Sequence, residues 1–456
     1  MRVCHTLQPV FDDPNLVAFG GLPAVMRLAE QAGLYELVEQ HVTVPGTAGA
    51  NAPVKVSALI AGMVVGADSI SDLDVLRHGG MGRVFDGLRA ATTLGTHLRA
   101  YRFGHVRQLD AVASRLLIKL AGLSPILDGA DQLTFVDVDD TIRETHGYRK
   151  QGAAYGYSRV KGLNALVATI STPTSAPVIA ATRLRKGNVS SARGAARLIG
   201  DTLATLRRAT TPSLVIVRAD SAYFNHATIA AITVGGARFS ITARMNTAVT
   251  RAITTINDTD WTTIRYPQAI YDEAQQVWIS DAEVAEVPFT AFTSRRKADH
   301  VTARLVVRRV RRLNPNAKAQ GELLPGYRYH AVFTNSTFAL VDAEACHRDH
   351  AIIEGVFADL KDGPLAHAPS GKFMANSAWL ALTAMAFNLT RAAARIASKT
   401  LGRARTSTVR RTLIQVAARI ANQARTWLLH LPRNWPWEPQ LATLYNAAFG
   451  PPAAAT

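Results

Sequence analysis

The stretch SLVIVRADSAYF, Ser213 to Phe224, constrains the fold more than any other. Val215, Ile216 and Val217 form an unbroken β-branched run, which suits a strand buried on both faces, as parallel strands of α/β sheets are. Asp220 stands where that run ends. Ligands and chemistry in open α/β sheets gather at the C-terminal tips of strands. A lone aspartate there also commonly caps the next helix, so a second instance is needed.

LTFVDVDDT, Leu133 to Thr141, supplies it. Asp137 and Asp139 alternate with Val136 and Val138, and a period of two puts both aspartates on one strand face and the valines on the other. Carboxylates on a largely apolar strand are costly unless something pairs with them. Turn chemistry at a strand end accounts for Asp140 and for Asp139, but poorly for Asp137. GLNALVATI and APVIAATRL follow as strands, and ARGAARLIGDTLATLRRA follows as a helix before SLVIVRADSAYF. Strands, a helix and then a strand indicate an α/β sheet.

On either side the texture differs. From about Asn15 to Ser124 apolar residues recur at helical steps, as in LPAVMRLAEQAGLYELVEQH and VSALIAGMVVGADSI. From about Gly236 to Phe333 the pattern is mostly strands, in ARFSITAR, DWTTIRYP, QVWISDAEV, TARLVVRRVRR and YRYHAVFT. Helix returns at Asp342 and is expected to dominate to the C-terminus, with PWEPQ and GPPAAAT as loop and tail.

HRDHAIIEGVFADLKDG, His347 to Gly363, opens that last part. On a continuous helix His347, His350, Glu354 and Lys361 fall within roughly 60° of one another. Ile352, Ile353, Val356 and Leu360 lie opposite. The polar strip reads as a solvated face, as a His-His-Glu zinc site, or as a carboxylate completing a site begun by the two strands. Zinc would want a further ligand or an open position, and no HExxH motif is present.

The net charge of +17 attracts polyanions, and a basic protein of this kind most often meets them as nucleic acid. A surface built only for solubility mixes signs. Here no Asp or Glu occurs between Gly363 and Trp437, while Arg391, Arg395, Lys399, Arg403, Arg405, Arg410, Arg411, Arg419 and Arg425 recur. No apolar run reaches the roughly 18 residues that cross a bilayer, and the N-terminus has no apolar signal core. Two cysteines give no disulfide framework. The expected setting is a reducing cytoplasm. Asp139, Asp220 and Glu354 together supply oxygen ligands for two hard cations about 3.5–4 Å apart, the arrangement that drives in-line displacement at a phosphodiester.

With these pieces, TTLGTHLRAYRFGHVRQLD, GYRKQGAAYGYSRVKGLNAL, RKGNVSSARGA and the long segment from His347 to Ala393, the chain resembles the DDE transposases of bacterial insertion sequences. Within the superfamily marked by a Tyr-Arg-Glu-Lys signature it is most similar to the family numbered thirteen-eighty. The resemblance implies an α/β fold with an RNase H-like catalytic core interrupted by a β-rich insertion. The parts would be a helical DNA-binding domain over 1–130, the core in 131–230 and 336–400, the insertion at 231–335, and a basic helical region with a tail over 401–456. Asp139, Asp220 and Glu354 would be the catalytic triad and hold two Mg²⁺, with Mn²⁺ substituting. Thr141 favours Asp139 over Asp137 as first acid, and Asp137 is the fallback. His347 stands where the signature has Tyr and His350 where it has Arg, while Glu354 and Lys361 match. Histidine donates to phosphate more weakly than arginine and with pH dependence.

The resemblance further implies DNA contacts from His347, His350, Lys361 and, in the insertion, Arg308, Arg309, Arg311 and Arg312, for which strand-edge protection is the plain alternative. Trp261 and Trp278 would be candidates to stack on a flipped base, against core packing as the plain alternative. The partners would be double-stranded DNA, namely the element's terminal inverted repeats and target DNA, and a second copy of the chain on that DNA. Two other functions fit part of this pattern. One is a catalytically idle, transposase-derived DNA-binding protein, to which the two histidine replacements point. The other is a general RNase H-like nuclease, which leaves the long terminal regions unexplained.

Overall fold

The computed structural model describes residues 1–4, 6–146, 149–264, 271–272, 277–278, 282–311, 327–423 and 426–450. The chain divides into two compact units, one of Met1–Ile126, Gly147–Gln151 and Asp359–Thr456, the other of Leu127–His146 and Gly152–Ala358.

The second unit is built on one mixed ten-stranded sheet. Its strands are β1 (Leu133–Glu144), β2 (Ala154–Tyr155), β3 (Lys161–Ser171), β4 (Val178–Lys186), β5 (Leu214–Ala219), β6 (Arg238–Thr242), β7 (Thr262–Ile264), β8 (Ala282–Ala291), β9 (Val301–Arg311) and β10 (Tyr327–Thr334). They lie in the order β2-β3-β1-β5-β6-β10-β9-β8-β7, with β4 also paired to β3. β1 and β5, and β5 and β6, run parallel, while the other pairs are antiparallel. The parallel steps require crossovers, supplied by helix α1 (Ala195–Ala209) before β5 and helix α2 (His226–Val234) before β6.

Within β5 the apolar run is internal, as its β-branched residues predict: Val215 to Ala219 are all buried. Arg238–Thr242, grouped by the sequence with the β-rich span, pairs in parallel with β5 and so continues the strands that carry the acids. Beyond it β7 to β10 extend the same sheet. Their inner face rests on a cluster of Ile264, Val284, Val306, Val332 and Ala343, closed by Phe338 and Leu340.

The first unit is mainly helical. Helix Phe373–Ala397 is buried along nearly its whole length, because helices Ala52–Val65, Phe103–Leu123 and Glu438–Phe449 pack around it. Among the described residues no helix is long and apolar enough to cross a membrane. The C-terminal stretch departs from the expected helix. Ala418–Gln423 and Thr426–His430 form an antiparallel hairpin that takes Leu16–Val17 as a third strand. Ala, Arg, Gln and Leu favour helix locally, but pairing with a strand about four hundred residues away overrides so small a preference.

The acid-free arginine tract is also partly internal. Arg391 and Arg410 are 6% and 8% exposed. Arg391 donates to the carbonyls of Gly402 and Ala404 at 2.9 and 2.6 Å and lies 3.7 Å from the Asp359 carboxylate, which also accepts from the Thr406 amide. Removing one partner of a buried ion pair strands the other charge. Asp359→Ala is therefore expected to cost about 3–5 kcal/mol, seen as a lower midpoint in urea unfolding of this unit's helices.

Candidate active site

Two neighbouring parallel strands bring the first acids together. In the β1–β5 ladder Asp137 lies opposite Arg218 and Val138 opposite Ala219. The next residues on the two strands are Asp139 and Asp220. Asp220 leaves the strand tip to cap the short turn Ser221–Tyr223, accepting the Ala222 amide at 2.9 Å. Asp139 accepts the Asp140 amide at 2.7 Å.

The charge of Asp220 acts on Asp139. Burial first, and then the charge of Asp220, push the Asp139 carboxyl up to about 7, against the opposing pull of the Asp140 amide and of His350. Asp220 reaches solvent at the strand tip, yet the surrounding protein also holds its carboxyl above the ordinary range. Asp140 points to the opposite sheet face, where Asn164 donates to it at 2.6 Å and Arg185 pairs with it.

Asp137 is engaged differently. It is fully buried, and Arg218 grips it with Nε to Oδ1 and Nη2 to Oδ2, both at 2.7 Å. A carboxylate only accepts, so His350 donates its Nδ1–H to Oδ1 at 2.9 Å. The fallback acid is thus taken up by protein donors, which leaves Asp139 as the β1 carboxylate facing Asp220. The sequence also left Arg218 without a role, although a lone charge inside a buried strand demands a partner.

The helix carrying Glu354 is not continuous. Helix α3 (Leu340–Arg348) passes through a 3₁₀ turn at Asp349–Ala351 into helix α4 (Ile352–Lys361). In a 3₁₀ turn residues three apart eclipse, and the rings of His347 and His350 stack with centroids 6.4 Å apart. The tighter turn shifts the simple helical wheel. Ile353, Val356 and Leu360 are buried as expected, but Ile352 is 43% exposed. Both ring nitrogens of His347 are hydrogen bonded, Nδ1 to Ser240 Oγ at 3.0 Å and Nε2 to Thr242 Oγ1 at 2.9 Å. Burial, then His350 and Arg218, push its pKa down to about 3, so the ring is neutral.

Glu354 is exposed and lines a cavity of about 240 Å³ between α3, α4 and the face of β9 and β10. Arg308, His330, Glu344, His347, Arg348 and His350 share its wall. Arg308 pairs with the buried Glu344 at 3.2 Å. Arg309 lies on the other face of β9, where it pairs with Glu283 at 2.7 Å and stacks over Trp261 and Tyr327 at 4.2 and 4.6 Å. The Trp261 ring is therefore already covered on one side. Lys361 is exposed at the end of α4. Arg312 and the side chains of Arg311 and Trp278 lie outside the described residues.

Among the described residues, no three or more His, Cys, Asp or Glu side chains converge closely enough to hold a metal ion. Asp139 and Asp220 follow the last paired rung of neighbouring strands, whereas Glu354 lines a cavity that neither aspartate lines. The chemistry of the pair nevertheless fits a hard divalent cation. Both donors are carboxylate oxygens, and a bound cation would offset the burial and the like charge that raise Asp139.

A family profile described as Transposase DDE domain, group 1, matches residues 5–448 of the chain. No curated protein matches it.

Because the folded pKa of Asp139 lies above its unfolded value, this group favours folding in acid, and that contribution is lost as pH rises from the ordinary carboxylate range through about 7. Asp139→Asn removes the penalty. In the absence of divalent ions at about pH 8, it is expected to raise the Tm of the sheet unit by at least about 2–4 °C. The gain should vanish near pH 4, and calorimetry at both pH values checks it.

Proposed function

The chain belongs to the DDE transposases, and from that premise we propose that it cuts the inverted-repeat ends of an insertion sequence by phosphodiester hydrolysis and joins the freed 3′-hydroxyl ends to target DNA. The observation that carries the reading is that Asp139 and Asp220 follow the last paired residues of two parallel strands, Asp139 within β1 and Asp220 just past the end of β5, with the first carboxyl pushed up to about 7.

An RNase H-like core accords with the topology: an antiparallel run of β4, β3 and β1, then β5 and β6 added in parallel through helical crossovers. β7 to β10 would be the insertion between the second aspartate and the glutamate helix. The helical N-terminal residues and the basic C-terminal region would hold element ends, and two copies of the chain would pair two ends.

Asp139, Asp220 and Glu354 are the residues that would hold two Mg²⁺. Bound there, the ions supply an activated water or 3′-hydroxyl and stabilise the leaving oxygen. The chain's own residues orient this chemistry. The Ala222 and Asp140 amides aim the two aspartates, and Arg218 and His350 occupy Asp137 so that it does not compete. Lys361 and the arginines at 308, 311 and 312 are the proposed phosphate contacts, whereas Arg309, expected among them, is taken up by Glu283 and its aromatic stack. His347, bonded at both nitrogens and neutral, serves the fold of the helix more than a grip on phosphate.

Asp139→Ala, Asp220→Ala and Glu354→Ala are each expected to lower Mg²⁺-dependent nicking of DNA bearing the element's ends by at least about 100-fold. Near-normal cutting by any of them would remove that residue from the triad. Because a ligand carboxyl must lose its proton to bind metal, the half-saturating Mg²⁺ concentration should fall as pH rises through about 7. A flat pH profile would mean that Asp139 is not a ligand.

A further inference from the structure

Just upstream of each of the three acids stands a polar residue that is not itself one of the three. Asp137 precedes Asp139 by two on β1. Arg218 lies on β5 two residues before Asp220, which follows the strand end, and His350 lies in the 3₁₀ turn four residues before Glu354. These three are bonded to one another. Arg218 clasps Asp137 through two hydrogen bonds of 2.7 Å, and His350 donates to the same carboxylate at 2.9 Å. Arg218 also donates Nη1 to the Cys346 carbonyl at 2.8 Å, near the end of α3, and its guanidinium lies 4.2 Å over the Phe135 ring.

We propose that Asp137, Arg218 and His350 form a positioning layer that fixes the register of Asp139 against Asp220, so that this pair binds divalent cation, and ties to it the start of the helix that carries Glu354. The proposal rests on the reading of those acids as cation ligands.

Energetics favour a positioning role over a stabilising one. A buried ion pair roughly breaks even against an apolar pair of the same size, because desolvation offsets the attraction. Its distinctive gain is registry. Sliding β1 against β5 by one residue would turn Asp137 away from Arg218 and, in the same movement, Asp139 away from Asp220. The planar fork of arginine is what allows one side chain to hold a carboxylate with two donors and a helix carbonyl with a third; lysine has no such geometry. His350 sits in the 3₁₀ turn that sets where α4 begins, so its bond to Asp137 ties the height of Glu354 to the strand that carries Asp139.

The test measures Mn²⁺ binding to the full-length protein without DNA, by loss of the free-ion electron paramagnetic resonance signal, alongside thermal unfolding. His350→Phe keeps the ring volume and removes the donor, His350→Asn restores a donor near the Nδ1 position, and Arg218→Lys keeps the charge and removes the fork. The expected result is cooperative unfolding in all three, with Mn²⁺ binding weakened about 10- to 100-fold in His350→Phe and Arg218→Lys and largely recovered in His350→Asn. Parental Mn²⁺ affinity in a folded His350→Phe or Arg218→Lys protein, while Asp139→Ala abolishes binding, would overturn the positioning layer and leave the metal site standing. Parental Mn²⁺ affinity in Asp139→Ala itself would instead overturn the metal site and the proposal with it. If Arg218→Lys fails to fold, the Phe and Asn variants at position 350 decide the matter alone.

Discussion

The buried ion pair of Asp137 and Arg218 is the constraint on which the site depends. It joins two parallel strands at one rung of the sheet, and through the Cys346 carbonyl and His350 it joins both to the helical segment that follows β10. Three segments that are far apart in sequence are thereby held at fixed relative heights. With apolar side chains at these positions, the strands would pack equally well and the rung would be less specified. Charge makes any other register costly, because it would leave a carboxylate or a guanidinium unpaired in the interior.

The electrostatics one rung further out are the reverse. Asp137 has its charge balanced by Arg218, whereas burial and the neighbouring Asp220 outweigh what the Asp140 amide and His350 offer Asp139. Perturbed carboxyls of this kind gather at sites of chemistry, which agrees with the proposed role of Asp139. Two aspartates on one strand face, identical in type and two residues apart, are given opposite tasks by their surroundings.

The arginines show a similar division. A count of charges treats every basic residue as surface, yet Arg218, Arg391 and Arg410 lie inside their units and hold carboxylates or carbonyls. Arg308 and Arg309, adjacent in sequence, point to opposite faces of one strand. The first faces the cavity beside Glu354, and the second lies in a stack of aromatic rings with acids at its edge. The net charge of +17 thus overstates what the surface offers to a polyanion, while its sign still agrees with a protein that acts on DNA.

What the amino-acid sequence determined by itself was local. Period-two alternation placed Asp137 and Asp139 on one face, the β-branched run made β5 a buried strand ending at Asp220, and apolar spacing placed Ile353, Val356 and Leu360 in the core. These follow from backbone geometry, which repeats every two or 3.6 residues whatever the rest of the chain does. Only the tertiary structure decided partnership: which aspartate meets Arg218, how a 3₁₀ turn at His350 shifts the helix wheel, and that the C-terminal hairpin pairs with Leu16–Val17. Such choices depend on side chains brought together from distant positions, and the free energy of pairing or stranding a buried charge exceeds the small local preferences that a sequence displays.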